Sequence, residues 1–325
     1  MIIGFCKTNG FRVKHGMTSI RDSHTCKSRY PEMIKNSRLR NSGIMKKYQG
    51  GIMKLKGLFA GSIVIVMVYT VMNLYAEGKK IVMEGSTTVL PIAQIAAEIF
   101  MDNNPNVDIS VRGGGSGVGI TSIIEGTCDI ANASRAMKDI EMQKAVGRGK
   151  APKAFVVAMD GIAVILNPSN SVAGLTKKQL KDIYTGKISD WSKVGAGKGK
   201  IVVISRDSAS GTFEAFNELA LDKQKVRRDA LMQASNQAIA NIVAKTPQAI
   251  GYIGLGYITD SVKAIPINGI IADKKTVLSG KYPLSRPLFM YTNGVPTGLV
   301  KDFIDFIMSE DGQKLVEEEG FVGLK

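Results

Sequence analysis

Three times in this chain a short β-branched run leads into a turn of Gly, Ser and Thr and then into apolar residues at helical spacing. That order constrains the fold more than any other feature. It occurs at Ile81, Val82 and Met83, followed by Gly85, Ser86, Thr87 and Thr88 and then by Leu90 through Phe100. It returns at Val107 to Val111, with the turn Arg112 to Gly117 and an apolar-periodic stretch to Ile124, and again at Ile201 to Ile204, with Ser205 to Thr212 and Phe213 to Leu221. Alternating strands and helices indicate an α/β fold with mostly parallel sheets, in which ligands sit outside the carboxyl ends of the strands.

Two further β-rich runs, Ala154 to Leu166 and Ile250 to Ile258, fall where a two-domain chain would cross between its parts. The expected organisation is a discontinuous first lobe, residues 77–157 plus 267–325, with a second lobe, 158–266, inserted in it. The stretch Leu299 to Glu319 carries Phe303, Ile304, Phe306, Ile307, Leu315 and Val316 at helical spacing and is expected to close the first lobe as an amphipathic helix or pair.

The formal charge of +15 suggests a nucleic-acid or membrane partner until its distribution is considered. Residues 1–76 hold 13 of the 43 Lys and Arg but only two of the 28 Asp and Glu, leaving 30 basic and 26 acidic residues in the remainder. The body is therefore only mildly basic, and no nucleic-acid partner is expected. Both histidines, His15 and His24, and two of the three cysteines, Cys6 and Cys26, also lie in the opening stretch. With no His and only Cys128, the body excludes His-based acid/base catalysis, Ser-His-Asp and Cys-His nucleophiles, His or multi-Cys zinc sites and an internal disulfide. No cofactor or metal is expected.

From Met53 the sequence places Lys54 and Lys56 before an apolar run, about Leu58 to Met72, and small Ala76 before Glu77. This is the order of a secretory signal, which implies an exported, periplasmic or extracytoplasmic protein. Signals stand at chain starts, so the expectation is that translation begins at Met53 or Met45 and that residues 1–52 are a disordered extension outside the working protein. The apolar run is close to the roughly 18 to 20 residues that span a bilayer, so a retained membrane anchor is the alternative to a cleaved signal at 53–76. No Cys ends the run, so a lipid anchor is not expected.

A helix N-terminus offers unpaired N–H groups and partial positive charge, and small residues let an anion approach them. Ser86, Thr87, Thr88, Ser116, Ser210 and Thr212 add hydroxyl donors, while Gly115, Gly117 and Gly211 remove obstructing Cβ atoms. One Ser or Thr at a helix start ordinarily only caps it; three such turns in one α/β chain point to an anion. Arg206 stands four residues before Ser210, and Arg135 follows Ser134 after the strand-like Cys128 to Ile130. Guanidinium matches phosphate-type oxygens bidentately. Gly113 to Gly119 lack the spacing and the downstream acid of a dinucleotide fingerprint, and no GxxxxGK[ST] loop occurs.

GSTTVLPIA at 85–93, GGGSGVGI at 113–120, DIANASR at 129–135, SRDSASGT at 205–212, GYIGLGY at 251–257 and YPLSRPLFMYTNG at 282–294 together resemble the phosphate-binding proteins of phosphate ABC transporters, within the type II periplasmic-binding-protein superfamily. The resemblance spans about 80–325. It implies a two-lobed α/β clamp, each lobe a mostly parallel sheet flanked by helices. The clamp closes on dehydrated inorganic phosphate, or a similar oxyanion, and hands it to ABC permease subunits with no chemistry on the ligand. A monomer is the simplest expectation for a carrier that docks on a permease. Matched by position, the implied ligand residues are Thr87, Thr88, Ser116, Ser134, Arg206, Ser210, Gly211 and Thr212, with Arg135 added.

One position departs from the family pattern. Members present an aspartate after the DIA-type strand to accept the phosphate proton and reject sulfate, whereas here Ser134 is followed by Arg135. That widens the ligand choice to phosphate, sulfate, arsenate or a metal oxyanion. Asp160, beside Gly161, reads either as a substitute acceptor or as a hinge carboxylate. From another class, a phosphoester hydrolase with Ser210 or Thr212 as nucleophile is opposed by the missing histidines and by the lack of clustered carboxylates.

Overall fold

A computed structural model describes residues 79–324; the expected extension, 1–52, and the apolar export segment, 53–76, lie outside the described residues. In chain order the elements are β1 (Lys79–Gly85), α1 (Leu90–Asn103), β2 (Val107–Arg112), α2 (Ser116–Glu125), β3 (Ile130–Ala133), α3 (Asp139–Gly147) and β4 (Pro152–Leu166). Then come α4 (Lys177–Tyr184), β5 (Val202–Arg206), α5 (Gly211–Leu221), β6 (Leu231–Gln233), α6 (Asn236–Lys245), β7 (Ala249–Gly254), β8 (Lys263–Ile265) and α7 (Lys274–Leu278). β9 (Ser285–Asn293), α8 (Gly298–Met308) and α9 (Glu310–Glu318) complete the chain.

The sequence patterns act as their periods require. Ile81 and Met83 alternate inward along β1, and Ile92, Ala93, Ala96, Ala97 and Phe100 form one buried stripe along α1. β2, β1 and β3 pair in parallel in one lobe, as do β6, β5 and β7 in the other. The expected two-lobed α/β architecture is thus present, with antiparallel strands where the lobes join.

β4 makes that join. Its first part pairs antiparallel with β9 from Pro152↔Asn293 to Gly161↔Ser285, and its second part pairs with β7 from Ile162↔Gly254 to Leu166↔Ile250. One 15-residue strand therefore belongs to both lobes. The resulting strand order is β2-β1-β3-β9-β4-β7-β5-β6, with β8 added on β4. The carboxyl ends of β1, β3 and β5 lead into the Ser- and Thr-bearing turns.

The cores show where the crossings fall. Val157 and Ala158 pack with Ile81, Phe100, Met290 and Phe303 in the first lobe, whereas Ile162 onward packs with Trp191, Phe216 and Tyr252 in the second. The expected first crossing, 157/158, moves a few residues along β4. The second moves further: Ile267, Ala272, Val277, Tyr282 and Leu284 belong to the second-lobe core, and the chain rejoins the first lobe near Leu288. The turn at Asn268 and Gly269, both at positive φ, has the look of a boundary, but α7 beyond it is too short to show a period and buries Val277 in the second lobe. The run Ile250 to Ile258 is not a full crossing; β7 stays in the second lobe, and only the following turn reaches over, where the Tyr257 hydroxyl donates to the Thr87 carbonyl.

The C-terminal amphipathic stretch is a pair. Ser309 ends α8 and caps α9, its hydroxyl accepting from Gly312 N at 3.1 Å. Phe303, Ile304, Ile307 and Val316 are buried, with Phe303 edge-on to Phe100 at 5.5 Å.

Phe216 is fully buried in the second lobe, stacked on Tyr252 at 3.9 Å and edge-on to Tyr184 at 4.7 Å. Phe216→Ala is expected to cost about 3–5 kcal/mol through lost burial and a residual cavity. Urea unfolding followed by emission of Trp191, itself buried in the same core, measures it; a loss below about 1 kcal/mol would contradict this packing.

Candidate functional site

The turns after β1, β2, β3 and β5 meet where the two lobes face each other. After β2, Gly114 and Gly115 take φ of 147° and 99°, which turns the chain so that α2 begins at Ser116. This brings α2 against the second lobe: Gly117 N donates to the Ala209 carbonyl at 2.9 Å, and a Cβ on Gly115 would lie 2.6 Å from that oxygen. After β3, Ser134 N donates to Ser116 Oγ at 2.9 Å, and the two hydroxyls lie 3.2 Å apart. Across the cleft Ser210 caps α5 by accepting from Phe213 N at 3.2 Å. Gly211 then approaches so closely that a Cβ would stand 2.3 Å from Ser116 Oγ and 2.8 Å from Ser134 Oγ. Only glycine permits that approach.

The turn after β1 completes the ring. Ser86 Oγ accepts from Thr88 N at 3.1 Å, and Thr88 Oγ1 lies 2.9 Å from Thr212 Oγ1 of α5. Thr88, Ser116, Ser134, Gly211 and Thr212 therefore come together as one hydroxyl-lined cluster contributed by both lobes. Thr87 joins at its edge through Asn236. Thr87, Thr88, Ser116, Ser134, Ser210 and Thr212 are all buried.

Two arginines with different surroundings flank the cluster. Arg206, only 1% exposed, donates from Nε to the Gln233 carbonyl at 3.1 Å and from Nη2 to the Ala234 carbonyl at 2.9 Å. Its buried Nη1 has no partner among the described residues. Burial pulls its pKa down, while Tyr252 and Asp207 oppose that pull. The Tyr252 hydroxyl, 2.9 Å from Ser205 Oγ and accepting from Arg206 N at 3.1 Å, is pushed up to about 12 by burial and stays a neutral phenol.

Arg286, 4% exposed, is ion-paired to fully buried Asp160: Nε and Nη2 both donate to Oδ2, at 3.0 and 2.7 Å. Nη2 also donates to Thr212 Oγ1 at 3.0 Å and Nη1 to the Ser134 carbonyl at 3.1 Å. Asp160 Oδ1 accepts from Leu255 N at 3.0 Å. Burial raises the Asp160 pKa, with Arg286 as the principal opposing influence.

Arg135 is placed differently from the sequence expectation. Its guanidinium forms a bidentate pair with Glu141, Nη1 to Oε2 at 2.8 Å and Nη2 to Oε1 at 2.7 Å, and its Nε lies 2.8 Å from Glu214 of the second lobe. Burial alone would lower its pKa, but the Glu141 hydrogen bond and the Glu214 charge outweigh it and hold the group above its ordinary value. Two carboxylates already neutralise the cation, so its donors are turned away from the hydroxyl cluster. Glu214 gave no sequence signal of this pairing, because it stands 79 positions further along the chain, in the first turn of α5 on the other lobe.

Two residues of the cluster have no counterpart in the sequence reading of site residues. Arg286 lies inside YPLSRPLFMYTNG, where a lone charge in an otherwise apolar strand signals a buried, paired role. Asn236 begins α6 after the cap Ser235. Its Nδ2 donates to Thr88 Oγ1 at 3.1 Å and Thr87 Oγ1 at 3.3 Å, and its Oδ1 accepts from Gly254 N at 3.3 Å. This is a further strand-turn-helix unit, hidden because β6 has only three residues.

Known proteins similar to this chain cover most of its length. A family model described as a PBP superfamily domain matches residues 75–311. The phosphate-binding protein PstS of Bacillus subtilis is 37% identical over 243 residues, 73% of this chain and 78% of the relative. The Borreliella burgdorferi protein of the same name is 33% identical over 262 residues, 77% of this chain and 92% of the relative. Among solved structures, a phosphate ABC transporter substrate-binding protein from Clostridium perfringens with bound phosphate superposes with a TM-score of 0.72 at 36% identity, covering 76% of this chain and all (100%) of that one. Identities of 33% and 37% over 92% and 78% of these relatives, together with a matching two-lobed fold, show that the chain belongs to the phosphate-binding protein family of the PBP superfamily.

Proposed function

We propose that this chain captures inorganic phosphate in the hydroxyl cluster between its lobes and serves a phosphate ABC transporter as its substrate-binding protein. The observation that carries the reading is the charge left uncompensated in the site. Arg286 is neutralised by Asp160, but Arg206 has only neutral carbonyl partners and an orphan Nη1. A buried, unpaired cation is costly, and an anion removes that cost. The N-termini of α1, α2, α5 and α6 add partial positive charge from both lobes.

Thr87, Thr88, Ser116, Ser134, Ser210, Gly211 and Thr212 are the proposed ligand shell, extended by Asn236, Arg206 and Arg286. A tetrahedral oxyanion would take over the bonds that these hydroxyls make with one another. Asp160 is the proposed substitute for the family's proton-accepting aspartate, since Arg286 Nη2 bridges it to Thr212. An ionised carboxylate there accepts a proton that phosphate carries and sulfate lacks. The proposal includes delivery to permease subunits from outside the cytoplasm, as a monomer. It is supported by the export-like segment at 53–76.

Binding without turnover is the proposed mode. Thr212 Oγ1 has Thr88 Oγ1 and Arg286 as its partners, Ser210 Oγ is engaged as a helix cap, and among the described residues neither hydroxyl is hydrogen-bonded to a carboxylate or histidine. Purified protein is expected to show no turnover of a chromogenic phosphate ester; sustained hydrolysis lost in Thr212→Ala would instead establish an enzyme.

Arg206→Ala should weaken phosphate binding at least a hundredfold by calorimetry, about 3 kcal/mol for a charge-assisted contact to a buried ion. Retention of wild-type affinity in a folded variant would refute the reading. Asp160→Asn, which keeps the volume but removes the charge, should let sulfate compete with phosphate to within about tenfold, roughly 1.4 kcal/mol. Undiminished rejection of sulfate would remove Asp160 from the selectivity mechanism.

A further inference from the structure

Around Arg135 the two lobes share charges that the ligand shell does not use. Glu214 stands in the first turn of α5, and its Oε2 lies 2.8 Å from both Arg135 Nε and Lys138 Nζ of the first lobe. Glu141 at the start of α3 holds the other edge of the Arg135 guanidinium and also accepts from Lys138 N at 2.8 Å. Arg135 is thereby fixed in orientation by its own lobe, with only Nε left to face the other. Its side chain is 9% exposed and that of Glu214 22%, so the contact lies between a surface pair and a buried one.

The charges balance only across the cleft. On the first lobe Arg135 and Lys138 outnumber Glu141 by one unit, and Glu214 supplies the missing negative charge. Drawing the lobes apart would separate one unit of charge on each side. The same movement would open the ligand shell, because the two features share their supports: Glu214 lies two residues after Thr212 on α5, and Arg135 directly follows Ser134.

From this we infer that Glu214 is a positioning residue that fastens the closed cleft, acting through Arg135 and Lys138 to raise the population of the closed form without touching the ligand. This rests on the phosphate reading for its affinity readout. It also accounts for Arg135 standing beside a ligand hydroxyl while pairing with carboxylates. The contact borders a cavity of about 410 Å³ lined by residues of both lobes, among them Ser134, Lys138, Leu219 and Phe289, and the Lys138 side chain is 51% exposed, so the contact is open to screening by salt.

Direct electrostatics and the latch predict opposite signs for one substitution. Removing a carboxylate near an anion site strengthens anion binding through space, whereas removing a latch weakens it. Glu214→Gln is expected to weaken phosphate binding about tenfold, mainly through faster release in stopped-flow measurements. The deficit should shrink toward wild type at 1 M NaCl, where the wild-type latch is itself screened, and Glu214→Asp should recover part of it.

Small-angle scattering of the ligand-free proteins at low salt supplies a readout independent of phosphate, with Glu214→Gln more expanded than wild type. Unchanged or tighter phosphate binding by Glu214→Gln, or equal compactness of the two proteins, would overturn the latch. Failure of the wild type to bind phosphate would overturn the functional reading, leaving the scattering comparison to decide the latch.

Discussion

The ion pair between Asp160 and Arg286 is the interaction on which the rest of the site depends. The two residues face each other in the β4–β9 register, at the point where β4 passes from one lobe to the other. Burying two charges costs several kcal/mol per ion, and the cost is offset only when the geometry is good and the remaining donors and acceptors are satisfied. Here Asp160 takes two bonds from Arg286 and one from Leu255 N, while Arg286 uses its other donors on Ser134 and Thr212. The pair thus ties the shared strand, the post-β3 turn and the start of α5 to one another. Breaking it would leave a buried charge without compensation at the junction of both lobes.

Given that anchor, the rest of the site is a matter of close approach. Gly211 must come within a methyl group's width of Ser116 and Ser134, and Gly115 within the same distance of the Ala209 carbonyl. These contacts bring hydroxyls from both lobes into one buried cluster. A ligand shell split between two lobes, as proposed, would also sense their separation, since affinity would require both halves. Binding energy is then coupled to closure, as expected for a population shift between open and closed forms.

Local chemistry was legible in the residues. The strand-turn-helix units at Gly85, Gly113 and Ser205 are set by side-chain period and by turn residues within a dozen positions, and the structure has helices starting after each. The β6–α6 unit was not legible, because a three-residue strand with exposed Leu231 and Met232 carries no period. The second lobe boundary was missed for a related reason: α7 is short, and its single buried Val277 gains meaning only from the core it enters. Arg135 looked available because its sequence neighbours are small and polar, while the acid that claims it across the cleft is Glu214, far along the chain.

The sequence by itself determined the α/β class, the small-residue turns at helix starts, the absence of His chemistry in the body, and the family, because all of these reside in residue types and short spacings. Only the tertiary structure decided which cation is left with neutral partners and which is neutralised. Arg206, Arg286 and Arg135 are chemically identical in the sequence. Their roles differ because folding gives the first only carbonyls, the second Asp160 and the third Glu141 and Glu214. The net charge of a buried site is set by partners that long-range packing brings together, and residue order along the chain does not encode those distances directly.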